Sequence, residues 1–523
     1  MKKISFYIIL LISSAITSCV SLDEEPRSNI SSNQFYKTPA DANSAVISIY
    51  NAFSHNTSAD HASIYNRLLT LAVGMTTDDH IPGVNASNPD VRSLAVLTQS
   101  ASNDRYSQLW KQLYDGINRA NIAIDRIPAI EGDTTSTNRL VREAKFLRGL
   151  LYFDLVRLWG DVPLVLHETT SLTKDALLVS RNSADEVYAQ IIKDWTDAEA
   201  LPWSYPKGDT NAGRATGAAA TGFLAQLYLT RANTNEDNRP ANVSTIANRN
   251  ALLQLAIDKS NQIINKSGRY YDLFADYADV FKKSSKNGVE HIFSAQFKSN
   301  SNMHGNSYAQ RNAALGIKDA NGVTVVNGTL GDAPTTDLLA KFNKHGADKR
   351  RAVTLTSTYT VNGVTYTIDP KQNAGFTQVI NKYYDPEVAN NLIESGINVP
   401  ILKYSDILYI NAEANNELYG PNAEAHTNYN KLRTRAGLTT LTLGNYTKDQ
   451  FRDSVYLDLR LENTHEYRRW FDLIREIDKD GNHIMVPVLR AAGKPAAADK
   501  HYWYPIPQTE LDMNPKLVQN PGW

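Results

Sequence analysis

Residues 139–165 read RLVREAKFLRGLLYFDLVRLWGDVPLV, and this stretch predicts the helix around which the rest of the chain packs. Apolar side chains recur in it at three- and four-residue steps and also occupy most of its other faces. A surface helix would show one apolar face only, so we expect a central, buried helix. Gly160 and Pro163 predict its end, because glycine caps helices in a left-handed conformation and proline cannot continue them.

Four charged residues lie inside this apolar stretch: Arg142, Arg148, Asp154 and Arg157. Charged side chains in a protein interior are almost always paired. We therefore predict structural ion pairs with neighbouring helices, and keep a ligand site as the alternative.

A secretory signal peptide is predicted for residues 1–18. Lys2 and Lys3 precede an apolar run at residues 4–12, which is too short for a membrane-anchor helix. Residues 16–19 (ITSC) resemble the bacterial lipoprotein processing box, in which the cysteine is acylated and becomes the new N-terminus. Cys19 is the only cysteine of the chain, so we predict that it carries a lipid anchor and that no internal disulfide forms.

An acidic tether is predicted for residues 19–34. Asp23, Glu24 and Glu25 resemble the signal that directs lipoproteins of Bacteroidetes to the outer face of the outer membrane; a solvated tether without that role is the alternative. Removing Lys2 and Lys3 with the signal peptide takes the formal charge from −1 to −3. That balance favours neither nucleic acid nor an anionic membrane surface as a partner, so the lipid is the only expected membrane contact.

Residues 35–523 are predicted to form one compact unit, because no Pro-, Ser- or Gly-rich linker divides them. Further helical periodicity is found at residues 40–53, 104–127, 184–201, 214–231, 252–264, 401–418, 423–436 and 448–477. Paired helices with small residues at their crossings are typical of tetratricopeptide-type repeats, although the usual repeat consensus is absent. We expect a mostly α-helical, tetratricopeptide-like scaffold of helical pairs with long irregular loops and a few short β-hairpins.

Two stretches, residues 69–103 and 267–399, show little helical period. The first is polar and irregular. The second contains a predicted hairpin at residues 357–369, because its Asn362-Gly363 pair favours a tight two-residue turn. Long irregular segments in a compact domain are usually functional or disordered, and the aromatic residues in these two argue against disorder. We therefore look for a binding site there.

Several sequence blocks occur in an order that characterises one known family. They are residues 35–42 (FYKTPADA), 109–121 (LWKQLYDGINRAN), 147–149 (LRG), 159–164 (WGDVPL), 400–408 (PILKYSDIL), 412–414 (AEA), 432–438 (LRTRAGL), 469–475 (RWFDLIR), 504–515 (YPIPQTELDMNP) and 519–523 (QNPGW). On these blocks the chain resembles the SusD/RagB family. Leu459 and Tyr467 depart from its pattern, since the family usually has arginine and glycine there, which puts a local ion pair and a backbone turn in doubt.

The resemblance implies an outer-membrane lipoprotein that faces the cell exterior and binds a nutrient, with no chemistry of its own and no cofactor or metal. It implies an oligosaccharide ligand, less often a peptide, and a SusC-like TonB-dependent transporter as partner. It also implies an N-terminal part at residues 35–235 and a C-terminal part at residues 270–523. A structural repeat scaffold without a ligand and a glycoside hydrolase are the alternatives; the hydrolase would need two carboxylates about 5 to 10 Å apart.

Candidate ligand-binding residues come from the irregular stretches, where polar and aromatic side chains lack periodic apolar partners. We single out Asp78, Asp79 and His80 in the first stretch, and His304, Tyr308 and Arg311 in the second. Tyr308 is expected to expose its ring, which could then stack on the apolar face of a sugar.

Other suggestive patterns have ordinary structural interpretations. Residues 478–482 (DKDGN) resemble a calcium loop only faintly, so we predict a turn. Tyr270, Phe274, Tyr277 and Phe281 are at helical spacing and are predicted to be core. The sequence has no phosphate loop, dinucleotide motif, nucleophile elbow or zincin helix.

Overall fold

The predicted central helix is observed. In a computed structural model that describes residues 35–55, 63–234, 246–301 and 303–523, it spans Thr134–Trp159. Every residue from Phe146 to Trp159 is buried, as expected for a helix that is apolar on all sides. Gly160 ends the helix with a φ of +70°, a conformation that strains other residues. The sequence therefore placed both the helix and its end correctly.

The long helices make up most of the structure. They are Pro39–Ser54, Asp104–Arg126, Thr134–Trp159, Ala184–Ala198, Gly217–Ala232, Ile246–Ile264, Tyr404–Tyr419, Ala423–Arg435 and Lys448–Glu462. Most neighbours in the chain pack side by side, and the central helix lies against the helices before and after it. This confirms the predicted mostly α-helical, tetratricopeptide-like scaffold. In the described part of the chain, none of the helices is long and apolar enough to cross a bilayer.

Shorter helices connect and flank this scaffold. The α-helical ones are Pro89–Val96, Lys174–Leu177, Tyr308–Asn312, Thr336–Lys344, Lys349–Thr354, Arg469–Leu473, Met485–Ala491 and Gln508–Met513. The 3₁₀ segments are Gly74–Thr76, Ile127–Ala129, Tyr277–Phe281, Lys283–Ser285, Pro386–Glu394 and Asp499–Tyr502, and Ile64–Val73 is a π-helix. Many of them lie in the stretches that showed little helical period, because a helix of one or two turns leaves too short a pattern to recognise.

The strands are short and pair two by two, all antiparallel. The pairs are His80–Pro82 with Asp332–Pro334, His291–Ala295 with Val399–Lys403, Ile317–Lys318 with Thr324–Val326, Leu355–Thr356 with Val379–Ile380, and Thr358–Val361 with Val364–Thr367. The last pair is the predicted hairpin. Asn362 and Gly363 at its turn both have positive φ, at +50° and +79°, as such a tight turn requires.

Two sequence-based assignments were wrong. Residues 401–403 were expected to begin a helix, but they belong to the strand Val399–Lys403, whose pairing with His291–Ala295 overrides the helical pattern. Residues 69–103 were expected to be irregular, but this region contains the helix Pro89–Val96. The start of this helix could have been predicted from the sequence, since Asn88 caps the helix and Pro89 occupies its first turn.

Three of the four charged residues of the central helix form structural ion pairs, although only Arg148 pairs with a neighbouring helix as predicted. Both arms of the buried Arg148 guanidinium donate to Asp194 of the next helix, each at 2.8 Å. Arg157 donates to Asp154, one turn earlier in the same helix, at 2.6 Å. Arg142 is half-exposed at the helix surface. The Arg148–Asp194 pair therefore joins two helices of the scaffold, whereas Arg157 and Asp154 neutralise each other within one helix.

The segment after residue 503 returns to the end of the central helix. The Tyr504 backbone N–H donates to the carbonyl of Leu158 at 2.7 Å, and the Trp159 indole N–H donates to the carbonyl of Pro505 at 2.9 Å. Asn520 donates to the carbonyl of Trp159, also at 2.9 Å. The bonds from Tyr504 and Asn520 satisfy carbonyls at the helix terminus that have no partner within the helix.

Candidate functional site

The predicted site residues Asp78 and Asp79 lie in the interior. Each is at most 1% exposed, and each carboxylate accepts hydrogen bonds from an arginine, Asp78 from Arg469 at 3.0 Å and Asp79 from Arg460 at 2.7 Å. Burial raises the pKa of Asp78, but the guanidiniums of Arg469 and Arg460 outweigh it and lower that pKa to about 2. The two carboxylates therefore join chain segments in this structure rather than face solvent. His80, also 1% exposed, lies beside Asp332.

The expectation that Tyr308 exposes its ring was wrong, since the residue is only 1% exposed. Its ring packs edge-on against Tyr383 and Tyr467, at centroid distances of 5.1 and 4.6 Å. These partners come from segments far away in sequence, so a search for periodic apolar neighbours could not find them. Tyr308 is therefore a core residue.

His304 and Arg311 do reach the surface, where both are half-exposed. The His304 Nδ1 lies 3.0 Å from the Nδ1 of His55, and one Arg311 Nη donates to the carbonyl of Asn66 at 2.8 Å. The Asn66 side chain donates to the carbonyl of Gly305 and accepts from the Ser307 backbone N–H, at 3.0 and 2.8 Å. This buried asparagine therefore fixes the loop that presents the two predicted residues.

Arg311 belongs to a group of arginines on this surface, which we call the arginine group: Arg67, Arg105 and Arg311. All three are half-exposed. Burial lowers the pKa of Arg67, and the positive charges of Arg311 and Arg105 lower it further. Among the described residues, no carboxylate lies within 4.0 Å of the Arg67 or Arg311 guanidinium. The group is therefore suited to meeting an acidic or hydroxyl-rich ligand.

A cleft of about 560 Å³ lies on the scaffold and is lined by half-exposed aromatic rings. Tyr205, Tyr270 and Phe274 contribute the rings, and Lys207, Arg214 and Arg269 contribute positive charge. We call this the aromatic cleft. Arg214 is fixed at its wall by two hydrogen bonds to the buried Glu143, at 2.7 and 2.8 Å. The cleft thus offers flat apolar surfaces beside fixed polar groups.

The aromatic cleft continues toward the predicted loop. It shares Arg214 and Phe293 with a smaller hollow of about 150 Å³, which is also lined by Ser54. Ser54 precedes His55, the residue in contact with His304. The cleft and the hollow are therefore contiguous, and Ser54 places the hollow next to the residue that contacts the loop.

Sequence reasoning missed the aromatic cleft. The core prediction was confirmed for Tyr277 and Phe281, at 1% and 4% exposure, but Tyr270 and Phe274 are only half-buried and line the cleft. Their helical spacing was misleading, since a helix is formed only at Tyr277–Phe281. Tyr205 was the one hint of the cleft in the sequence, because it lies in an aromatic, proline-containing segment between two helices.

The turn predicted at residues 478–482 was confirmed. The Asp478 side chain accepts the backbone N–H groups of Asp480 and Asn482, at 2.9 and 2.8 Å. Gly481 has a φ of +82°. The aspartate thus stabilises its own turn, as aspartates commonly do.

Two family profiles match the chain. That of the SusD family covers residues 196–523, and one described as "Starch-binding associating with outer membrane" covers residues 21–229. The chain is also similar to the SusD-like protein P2 of Formosa agariphila, with 28% identity over 100% of this chain and 99% of that protein.

Solved structures have the same fold. One is a SusD homolog from Bacteroides thetaiotaomicron, with a TM-score of 0.77 and 21% identity over 94% of this chain and 98% of that one. Another is the surface glycan-binding protein A from Bacteroides thetaiotaomicron in complex with laminarihexaose, with a TM-score of 0.71 and 20% identity over 92% of this chain and 99% of that one.

Proposed function

Because this chain belongs to the SusD family, we propose that it captures an oligosaccharide at the cell surface and delivers it to a SusC-like TonB-dependent transporter. Support comes from the relatives, one of which is described as a laminarin-binding SusD-like protein. The observation that carries the proposal for this chain is its aromatic cleft. A peptide is the less favoured ligand.

The chemistry of the aromatic cleft suits a sugar chain. The flat rings of Tyr205, Tyr270 and Phe274 can pack on apolar sugar faces, while lysine, arginine and tyrosine hydroxyls can bind the hydroxyl groups at the edges. A volume of about 560 Å³ is within the usual range for small-molecule sites and leaves room for a short oligosaccharide segment. We place the ligand here.

The ligand then extends along the hollow toward His304 and Arg311. The arginine group at that end would bind hydroxyl, carboxylate or sulfate groups of the chain. Asp78, Asp79, His80 and Tyr308 are buried and would not contact the ligand. Of the six residues predicted to bind the ligand, His304 and Arg311 are thus retained as direct contacts.

Binding without hydrolysis is favoured by the composition of the cleft. Among the described residues that line it, none is Asp or Glu. A glycoside hydrolase needs a pair of carboxylates beside the scissile bond. We therefore propose a binding protein and not an enzyme.

Calorimetry on the chain without residues 1–18 tests this proposal. The panel contains laminarihexaose, neutral and acidic oligosaccharides, and peptides. We expect saturable binding of an oligosaccharide, and expect Tyr270→Ala to weaken it about fivefold or more through the lost ring contact. Tyr419→Ala is the matched control, since this tyrosine is 61% exposed on another helix. The affinity of an Arg311→Ala variant shows separately whether the arginine group contributes to binding.

Each alternative predicts its own outcome in the same experiment. Released product would support the hydrolase, and no saturable ligand would support the structural scaffold. Normal binding by Tyr270→Ala together with a loss in Arg311→Ala would move the ligand from the cleft to the loop. Copurification with a TonB-dependent transporter from membranes tests the partner, and its absence would contradict delivery.

A further inference from the structure

Three buried side chains from distant parts of the sequence converge at one point: His80, Asp332 and His465. Each residue is 1% exposed, and one ligand atom of each lies within 4.8 Å of those of the other two. His80 and Asp332 belong to paired strands, whereas His465 lies between the helices Lys448–Glu462 and Arg469–Leu473. We call these residues the histidine cluster. It is separate from the aromatic cleft and the arginine group.

Asp332 is a buried carboxylate without a permanent cation. The His80 Nδ1 lies 2.8 Å from its Oδ1, the His465 Nδ1 lies 3.9 Å from its Oδ2, and the Tyr467 hydroxyl is 3.5 Å from that oxygen. Within the described part of the chain, no lysine or arginine lies within 4.0 Å of it, although nearby Asp78 and Asp79 both have arginine partners. A buried charge normally requires such compensation.

Nearby cations are engaged elsewhere. Arg460 donates to Asp79 at 2.7 Å and to Asp337 at 2.8 Å. Lys494 donates to the carbonyls of Met75 and Ala95, at 2.9 and 2.6 Å. Neither side chain is thus directed at Asp332.

His465 is the second unusual member of the cluster. Its ring stacks on that of His80 with a centroid distance of 3.8 Å, and neither of its nitrogens makes a hydrogen bond of ordinary geometry. Its backbone φ is +54°, and that of Tyr467 is +58°. Non-glycine residues rarely adopt such angles, and where they do the strain often serves a site. Here the strained turn directs a buried imidazole toward a carboxylate.

We propose that the histidine cluster binds a divalent transition-metal ion, with zinc as the best fit. Two imidazole nitrogens and a carboxylate oxygen are a ligand set that zinc accepts, and an ion there would supply Asp332 with its missing positive charge. It would also give one ring nitrogen of His465 a partner. Because the ligands come from three distant segments, the ion would tie the N-terminal, middle and C-terminal parts of the scaffold together.

The test uses the untagged chain without residues 1–18, since an oligohistidine tag would bind zinc itself. The protein is unfolded, refolded with zinc and dialysed, because side chains this buried are loaded most readily before the fold closes. Elemental analysis is expected to find roughly one zinc per chain. Removing the metal with a chelator is expected to lower the melting temperature.

Two variants and a control make the result specific. His465→Gln and Asp332→Asn, which nearly keep side-chain volume, should each weaken zinc binding about tenfold or more and abolish the chelator effect. The His426→Gln variant should retain zinc binding and the chelator effect, since this buried histidine lies outside the cluster, in the helix Ala423–Arg435. If a variant fails to fold, the zinc content of the wild type still decides. Refolded wild type without zinc, or equal zinc in the variants, would overturn the proposal and leave an ion-free histidine–aspartate pair.

Discussion

At the scale of single residues, Tyr467 explains how a departure from the family pattern is accommodated. Its φ of +58° is left-handed, so the turn for which the family uses glycine is kept. The left-handed conformation costs a tyrosine about 1 to 2 kcal/mol, whereas burying a side chain of this size gains about 2 to 3 kcal/mol. The ring is buried against His80 and Tyr308, so packing outweighs the strain.

The burial of Tyr308 reverses what its polar surroundings in the sequence suggest. Tyr308→Ala is expected to cost about 3 to 5 kcal/mol in the free energy of unfolding, as Trp470→Ala should, because each leaves a cavity. Tyr419→Ala, at an exposed position, should cost about 0.5 kcal/mol or less. Denaturant unfolding of the three variants measures this. A Tyr308→Ala variant as stable as Tyr419→Ala would contradict the buried position.

His291 is expected to make the protein less stable in mild acid. Burial lowers its pKa to about 4, and the positive charge of Lys403 acts in the same direction. Between pH 6.5 and 4 the unfolded chain therefore binds more protons than the folded one, and stability falls as the pH falls.

The His291→Gln variant tests this pH dependence. It should lose on the order of 3 kcal/mol less stability than the wild type between pH 6.5 and 4. His167→Gln is the control, because that side chain is 84% exposed. Parallel pH profiles for wild type and His291→Gln would show that the histidine titrates normally.

At the scale of elements, close approach between helices sets the geometry of the scaffold. Gly149 of the central helix faces Trp195 of the Ala184–Ala198 helix, and a Cβ on this glycine would lie 2.6 Å from the indole Nε1. That nitrogen donates to the carbonyl of Phe146 at 3.1 Å. The glycine thus permits both the approach and the hydrogen bond.

Gly149→Ala is therefore expected to destabilise the protein by about 1 to 3 kcal/mol, although alanine favours helices. Gly346→Ala is the control, since a Cβ there would meet nothing within 4 Å. Melting temperatures compare the two. A Gly149→Ala protein that melts above the wild type would mean that helix propensity outweighs the clash.

The sequence-based predictions were accurate where the interactions join residues close in sequence, and they failed where the partners are distant in sequence. The central helix and the Asn362-Gly363 hairpin were predictable because residues close in sequence determine them. The strand Val399–Lys403 and the burial of Tyr308 depend on partners about 75 to more than 100 positions away, which leave no local pattern. The aromatic cleft was missed for the same reason, since Tyr205 and Tyr270 meet only in the folded chain.

At the scale of the whole molecule, the proposed lipid anchor and the binding surface lie in different parts of the chain. Cys19 and the acidic residues Asp23, Glu24 and Glu25 lie outside the described residues. The aromatic cleft belongs to the scaffold that follows. The anchor can therefore be altered without touching the site.

Cys19→Ala should abolish incorporation of labelled palmitate and partitioning into detergent, because the acyl chains would have no attachment point. Ligand affinity should remain that of the wild type. Undiminished palmitate labelling of Cys19→Ala would refute the anchor.

Replacing Asp23, Glu24 and Glu25 by Ala should preserve palmitate labelling but reduce cleavage by protease added to intact cells.

The bonds between residues 504–520 and the end of the central helix also set an order in time. Trp159 and Pro505 are 346 positions apart, so a ribosome adding about 5 to 20 residues per second needs roughly 20 to 70 seconds to make one after the other. Throughout that interval the carbonyls of Leu158 and Trp159 lack their final donors. The end of the central helix therefore acquires these donors only after the last segments of the chain have been made.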